Sequence, residues 1–324
     1  MSQNTDQTQI RLRVRRRAEI ATDALLLELE SVSGEALPGW EPGAHLDMRL
    51  PSGLARQYSL CGARDDRSVY VVVVLRERHG RGGSEEIYRE FGVGTEFSSS
   101  KPRNHFRLVD ASEYVLIAGG IGITPIKAMV DEVRARGVRW HLHYGGRSRE
   151  HMAFADNLVE LGGDNVSIVP QDLEGLLDVP AIIQTLSPEA KIYCCGPPPL
   201  LSAMLTACTE AGVSERLHFE RFAAPLDVAR SATDSDTAFE VELRRSGVTL
   251  QVPADRSLLE VVQEVRPDIP FSCTEGYCGS CESVVLDGEP DHRGTLMTPE
   301  EHDEEGTMLI CVGRSKSARL VLDL

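Results

Sequence analysis

Between residues 10 and 106, apolar and polar positions alternate in short runs: Arg11–Ile20, Leu25–Glu30, His45–Leu50, Leu54–Leu60 and Val69–Arg76. A period of two puts successive side chains on opposite faces, the mark of half-buried strands. Pro42-Gly43 and Pro51-Ser52-Gly53 punctuate the runs. Several short strands joined by such turns predict an antiparallel β-barrel or sandwich over 1–108, with one helix near Ser84–Glu90. From about residue 113 the pattern changes. Tyr114–Ala118 is a continuous apolar run, as a strand covered on both faces requires. A glycine turn and a helical stretch through Met129, Val133 and Arg136 follow it. Trp140–Tyr144, Val166–Val169 and Ile192–Cys194 read as further strands, with helices between them that include Leu200–Ala211. This alternation predicts an α/β domain over 109–224, a parallel sheet with helices on both faces. Ala223–Thr237 has no periodicity and reads as a linker, placed at 225–237. Beyond it, Phe239–Leu243 and Val248–Val252 form a hairpin pattern around Ser246-Gly247, and Ser257–Val265 a helix, opening a third domain at 238–324.

A chain of 324 residues has room for two or three such cores. No apolar run approaches the roughly 20 residues of a membrane helix. The polar start and the basic stretch Arg11–Arg17, interleaved with Leu12 and Val14, read as a strand and not as a secretory or transit segment. The expectation is a complete, soluble, cytoplasmic protein without a membrane partner. A formal charge of −16 argues against nucleic acid, whose phosphates demand clustered Lys and Arg, and suits a basic protein surface.

Cysteine changes the picture. There are eight, at 61, 194, 195, 208, 273, 278, 281 and 311, and an intracellular chain keeps few disulfides. Cys273-x4-Cys278-x2-Cys281, with Cys311 after 29 intervening residues, has the spacing of plant-type [2Fe–2S] centres. Each iron takes two thiolates besides the bridging sulfides, so three cysteines wrap the cluster from one loop and the fourth arrives from afar. Gly276 and Gly279 let backbone amides turn towards the cluster sulfurs. The competing reading is structural zinc, which prefers two separate C-x2–4-C knuckles.

Upstream motifs are weaker one by one. Arg56-Gln57-Tyr58-Ser59 can set a cation, a ring and a hydroxyl along one strand edge, as a flavin needs for its phosphate, its ring and N5. An ordinary half-buried strand has the same composition. Arg81-Gly82-Gly83-Ser84 opens a helix and can cradle a phosphate, or be a turn capped by Ser84. Gly119-Gly120-Ile121-Gly122-Ile123-Thr124-Pro125 follows a buried strand and starts a helix, a place for a pyrophosphate, without the G-x-G-x-x-G fingerprint. Cys195-Gly196-Pro197-Pro198-Pro199 ends another strand at the ligand-binding edge, with Cys194 and Cys195 expected to face opposite sides, one the core and one the cleft; Cys208 is expected in the core.

Taken in order, these motifs resemble the phthalate dioxygenase reductases, flavoproteins of the ferredoxin-NADP reductase superfamily. The resemblance runs over nearly the whole chain through Pro42–His45, Arg56–Gly62, Arg81–Ser84, Gly119–Pro125, Cys195–Pro199, His218–Phe222, Ser272–Cys281 and Ser317–Leu324. It implies a flavin β-barrel, a nicotinamide-nucleotide domain and a β-grasp ferredoxin domain in an α+β fold. It implies FMN held by Arg56, Tyr58, Ser59, Gly83 and Ser84. It implies NADH lined by Gly120, Thr124, Cys195, Gly196 and Pro197, and a cluster on Cys273, Cys278, Cys281 and Cys311. Phe222 would cover the flavin until nicotinamide displaces it. Ser59, Cys195, Glu220 and Phe222 would form the catalytic group; His45 belongs to the signature without an evident role. The stretch Pro170–Asp178 departs from the His-x-x-Asp and Gly-Arg-Leu-Asp segments usual at the ribose site. NADPH therefore stays open, with Arg147 and Ser148 able to meet a 2′-phosphate or to cap a helix near Arg149.

The function implied is transfer of electrons from NADH through FMN and the cluster to a separate oxygenase, Rieske-type in preference to cytochrome P450, by a monomer. A redox sensor that binds a regulatory protein is the non-enzymatic alternative. Residues 238–324 carry 17 acidic and 8 basic side chains. The run Glu300–Glu305 is expected to be either a solvated acidic loop or a docking patch for a basic oxygenase.

Overall fold

The computed structural model describes residues 9–78, 80–223 and 236–324. Most of the expected linker, residues 224–235, lies outside the described residues. The chain forms two compact units, Met1–Phe222 and Ala223–Leu324.

The first unit begins with β1 (Gln9–Ala21), β2 (Ala24–Ser31), β3 (His45–Arg49), β4 (Ala55–Ser59) and β5 (Tyr70–Leu75), then α1 (Gly83–Glu90) and β6 (Glu96–Ser100). The sheet order is β4-β3-β6-β1-β2-β5. A bridge between Leu60 and Val72 joins the two edge strands, closing the antiparallel sheet into a barrel and leaving no free edge. Alternation drives this: Leu12 and Val14 are fully buried, whereas Arg11 and Arg13 face outward and pair with Glu96. The run of arginines after Val14 does not break the strand because a bulge between Val14 and Arg16 absorbs it. β6 has no counterpart in the sequence pattern. Its EFSSS segment offers a single core residue, Phe97, and is a strand because β1 and β3 pair with it on both sides.

The nucleotide half comprises β7 (Glu113–Gly119), α2 (Ile123–Arg136), β8 (Arg139–Gly146), α3 (Ala155–Gly162), β9 (Val166–Pro170), α4 (Gln171–Glu174), α5 (Val179–Gln184), β10 (Ala190–Gly196), α6 (Pro198–Glu210) and β11 (Leu217–Arg221). All neighbours are parallel, in the order β11-β10-β7-β8-β9. One core covers each face. The core beneath α2 also takes in Ala24, Cys61, Val73 and Phe106 from the barrel, so barrel and sheet share apolar interior. Tyr193 on β10 fixes the joint: its hydroxyl accepts from Val109 N at 2.7 Å and donates to Arg107 O at 3.1 Å.

The second unit contains β12 (Phe239–Leu243), β13 (Val248–Val252), α7 (Leu258–Gln263), β14 (Glu282–Asp287), β15 (Pro290–Asp291), α8 (Pro299–Glu305), β16 (Thr307–Leu309), β17 (Arg314–Ser315) and β18 (Arg319–Leu322). Its mixed sheet, β13-β12-β18-β14-β16, packs α7 over a core of its own. Ser257 caps α7 in a reciprocal box with Glu260. The acidic run is not a loop. Thr298 and Glu301 form a second capping box and Pro299 sits at the first turn, so Glu300–Glu305 lies in helix α8 with His302 buried. Asp236, at the end of the expected linker, is buried and ion-paired to Arg293 at 2.6 Å.

Candidate functional site

The expected residues gather in three places. In the first, Arg56 on β4 lies against the N-terminus of α1: a Cβ on Gly83 would come within 2.6 Å of the Arg56 guanidinium nitrogen. Gly82, with φ 81°, caps α1 without a side-chain bond to the first-turn amides, so those amides and the cation present one positive surface. The Ser84 hydroxyl accepts from Glu77 N at 3.0 Å, leaving its proton to donate. This cradle fits a flavin phosphate. The pleat divides the RQYS segment, however. Arg56 and Tyr58 stand opposite Met48 and Leu46, while Ser59 stands opposite His45 on the other face. The motif therefore does not run along one edge as expected, because adjacent strand residues alternate.

The second place is the carboxyl edge of the parallel sheet. β7 and β10 are neighbours, so the turns that follow them touch. A Cβ on Gly122 would meet the Cys195 carbonyl oxygen at 2.2 Å, and one on Gly119 would meet Pro197 and Leu200 at 2.7 Å. Gly120 takes a φ of 54°, and Gly122 caps the 14-residue α2 with no side-chain bond. Thr124 is buried and its hydroxyl donates to Ile121 O at 3.0 Å. An open helix N-terminus between two glycine turns fits a pyrophosphate. Cys194 and Cys195 do take opposite faces, but both are fully buried, one in each core, as is Cys208. Cys195 thus faces no open cleft. Burial, and then Glu220, push its thiol well above the usual range.

Glu220 is the centre of this seam. It pairs in register with Cys195. Its Oε1 lies 4.0 Å from His45 Nδ1 of the barrel, and its buried Oε2 has no hydrogen-bond partner among the described residues. Burial raises its pKa to about 8, so it is a carboxylic acid at neutral pH. Phe222, 37% exposed, follows at the end of the unit. Arg147 is exposed, and Ser148 does not cap the following short turn; its hydroxyl pairs with His151 Nδ1 at 2.7 Å. Pro170 ends β9, and Leu173 in α4 and Leu176 just after it are largely exposed.

The third place is the cysteine loop in the second unit. All four thiols are buried. Their contacts run Cys278 to Cys273 to Cys311 to Cys281. That chain of contacts offers two pairs, one for each iron. Three thiols from one loop and a fourth from a distant segment fit a two-iron cluster better than the paired knuckles of a structural zinc. Glu275 N donates to Cys273 Sγ at 3.3 Å. Gly276 and Gly279 take φ of 74° and 71°. Gly276 also packs so closely that a Cβ would strike Val312 at 2.7 Å. Cys281 and Cys311 are joined through Ile310 N and Cys281 O at 3.5 Å. Contact with Cys273 and burial push the Cys278 thiol far up.

Comparison with known proteins agrees with this arrangement. Residues 241–316 match the 2Fe-2S iron-sulfur cluster binding domain, and residues 116–206 the oxidoreductase NAD-binding domain. Phthalate dioxygenase reductase of Burkholderia cepacia is 38% identical over 97% of each chain. The chain belongs to the phthalate dioxygenase reductase family. The phenoxybenzoate dioxygenase subunit beta of Ectopseudomonas oleovorans is 39% identical over the full length of both chains. The solved phthalate dioxygenase reductase superposes with a TM-score of 0.71 over 98% of both chains at 38% identity. An intact type IV self-sufficient cytochrome P450 monooxygenase matches 98% of this chain with 41% of its own, at TM-score 0.88 and 40% identity. As a member of this reductase family, the chain is an NAD-dependent iron–sulfur oxidoreductase, the reductase component of an oxygenase system. No helix among its described residues is long and apolar enough to cross a membrane.

The sequence named the RQYS and glycine motifs but not what joins them. His45 and Gln57, whose side-chain nitrogens lie 3.2 Å apart, line the same face as Ser59. Their signal was the alternation of β3 and β4, which sets residues 45, 57 and 59 together once the register is known.

Proposed function

We propose that this reductase carries electrons from NADH through FMN and one [2Fe–2S] cluster to a separate terminal oxygenase of the Rieske non-haem iron type, acting as a monomer. One observation carries the reading. The phosphate cradle of the barrel, the glycine turns of the nucleotide sheet and the buried Glu220 belong to one compact unit, in a chain that also holds a four-thiol basket. When bound, FMN accepts a hydride and releases electrons singly to the cluster. The chain's own residues bind and orient. Arg56 and the Gly83 and Ser84 amides take the flavin phosphate, and Tyr58 packs against the ring. Ser59 serves the N5 side. Gly120, Thr124, Gly196 and Pro197 shape the NADH site, with Cys195 as the packed floor beneath Glu220. Glu220 holds a proton close to the reacting rings, and Phe222 shields the flavin until nicotinamide replaces it. Cys273, Cys278, Cys281 and Cys311 hold the cluster. The expected result is that purified protein, FMN-replete, couples NADH oxidation to turnover of a Rieske oxygenase. Ser59→Ala should keep FMN yet reduce it slowly, and normal stopped-flow reduction in that variant would remove Ser59 from the scheme.

A cytochrome P450 partner is the second reading, favoured by the P450 monooxygenase of which a part resembles this chain. A pairing assay with one Rieske oxygenase and one P450, at equal reductase, decides between them.

A further inference from the structure

His45 is the residue of the seam that the scheme above leaves without work. It opens β3, is 3% exposed, and its backbone is tied on both sides to Arg103 by bonds of 2.8 and 3.0 Å. The strand is therefore fixed there and the ring enclosed. Gln57 Nε2, a donor only, lies 3.2 Å from His45 Nε2. With the Gln57 amide in this orientation the ring nitrogen at that side accepts, which assigns the proton to Nδ1. Among the described residues Nδ1 has no hydrogen-bond partner, and it lies 4.0 Å from Glu220 Oε1. The other oxygen, Glu220 Oε2, is also buried and unpartnered.

We infer that His45 is a positioning residue: its Nδ1–H, held in place by Gln57, points across the joint at Glu220 Oε1, and so leaves the acidic proton of Glu220 on Oε2, for the bound nicotinamide and flavin. An acid with two equivalent oxygens puts its proton on either; a donor fixed beside one selects the other. The pair also couples the two halves of the unit, since β3 belongs to the barrel and β11 to the nucleotide sheet. Three observations stand together here: the Gln57 amide nitrogen beside His45 Nε2, and, among the described residues, a buried His45 Nδ1 and a buried Glu220 Oε2 that have no hydrogen-bond partner. The charge environment agrees. Burial, then Arg103 and the stacked His105, lower the His45 pKa to about 3, so the ring is a neutral donor throughout the working range. The groups facing the pair are Arg103 and His105 after β6 and the buried Cys195 thiol of β10.

This inference rests on the placement of Glu220 beside the reacting rings, and the test separates the two. The first arm is 15N NMR of histidine-labelled, FMN-replete protein without NADH, with His45 assigned by His45→Phe. The expected spectrum has Nδ1 protonated and Nε2 bare, with shifts that follow an inflection near pH 8 and lose it in Glu220→Gln. A proton on Nε2, or a signal indifferent to Glu220→Gln, overturns the inference whatever the enzyme's activity. The second arm is stopped-flow flavin reduction by NADH against pH, scaled to bound flavin. Loss of a donor to a carboxyl disfavours the anion, so His45→Phe should move the midpoint upward and slow reduction about tenfold; in a Glu220→Gln background the same change should cost less than about twofold. An unmoved midpoint, or an equal loss in both backgrounds, contradicts it. If His45→Phe cannot retain FMN, Gln57→Leu keeps His45 in place and should admit the Nε2–H tautomer in the spectrum; a spectrum unchanged by Gln57→Leu is the overturning result. Glu220→Gln slowing reduction with no NMR coupling would spare the catalytic role of Glu220 and reject only the role of His45.

Discussion

The cysteine basket and the flavin–nicotinamide seam solve the same problem, holding a redox group, by opposite means. The basket is local: three of its four ligands fall within nine residues, and the fourth lies just beyond β16, which pairs with β14, the strand that starts right after the third. Its glycines are spaced for one loop conformation, and its thiols do little without metal. The seam is assembled from far apart. Residues from β3, β4, β7, β10 and β11 meet there, and no two of the decisive polar groups are sequence neighbours. What the comparison teaches is that ligand chemistry can be written into a short motif, while proton placement is written into the packing of one sheet on another.

The largest expected effect breaks the comparison at the basket. Cys278→Ser should abolish the iron–sulfur signal and lower the melting of the second unit, because metal binding there is also folding energy. The first unit should melt unchanged and still pass electrons from NADH to an artificial acceptor. Loss of both activities would mean that the two regions are not independent. Differential scanning calorimetry and visible absorption read the outcome.

Next is Glu220→Gln, expected to slow flavin reduction by about 10²-fold or more. It also has a sign in stability. With a folded pKa of about 8 against an ordinary 4.5, the unfolded chain ionises first as pH rises, so this group lowers stability progressively from about pH 4.5 to 8. Removing it should stabilise the first unit at pH 8 by an amount on the order of a few kcal/mol, and by little at pH 4.5. A variant that is slower yet no more stable at pH 8 would mean the acid is not buried as described.

Gly122→Ala tests the meeting of the two glycine turns. The new methyl faces a backbone carbonyl at 2.2 Å, so the loop must move, costing about 1–3 kcal/mol. NADH kcat/KM should fall about tenfold or more with FMN and iron contents unchanged. The smallest effect concerns α8. If its carboxylates guide a basic oxygenase, electron delivery to that oxygenase should fall a few-fold between low and physiological salt, while reduction of a small neutral acceptor does not change.

Much of the architecture was legible from residue patterns. Periods of two and the change to continuous apolar runs gave barrel and parallel sheet, and the cysteine spacing gave the basket. Thr298-Pro299-Glu300-Glu301 carried a capping signal that reads as helix once capping is weighed above charge. β6 was not legible, because Ser98, Ser99 and Ser100 have little strand preference and are held by neighbours on both sides. The split of Arg56 and Tyr58 from Ser59 followed from the pleat alone. The approach of His45 to Glu220 spans 175 residues and two subdomains. No local pattern encodes it; it follows from the packing of the barrel against the nucleotide sheet, which share the core under α2.

The most direct test of the account is one anaerobic single-turnover experiment on the FMN-replete wild type and Cys278→Ser, mixing with NADH and following flavin absorbance with freeze-quench EPR. The account predicts equal rates of flavin bleaching in both proteins, with a reduced-cluster EPR signal that grows only in the wild type and only after bleaching begins. A cluster signal that precedes flavin reduction, or a Cys278→Ser flavin that NADH no longer reduces, would contradict it.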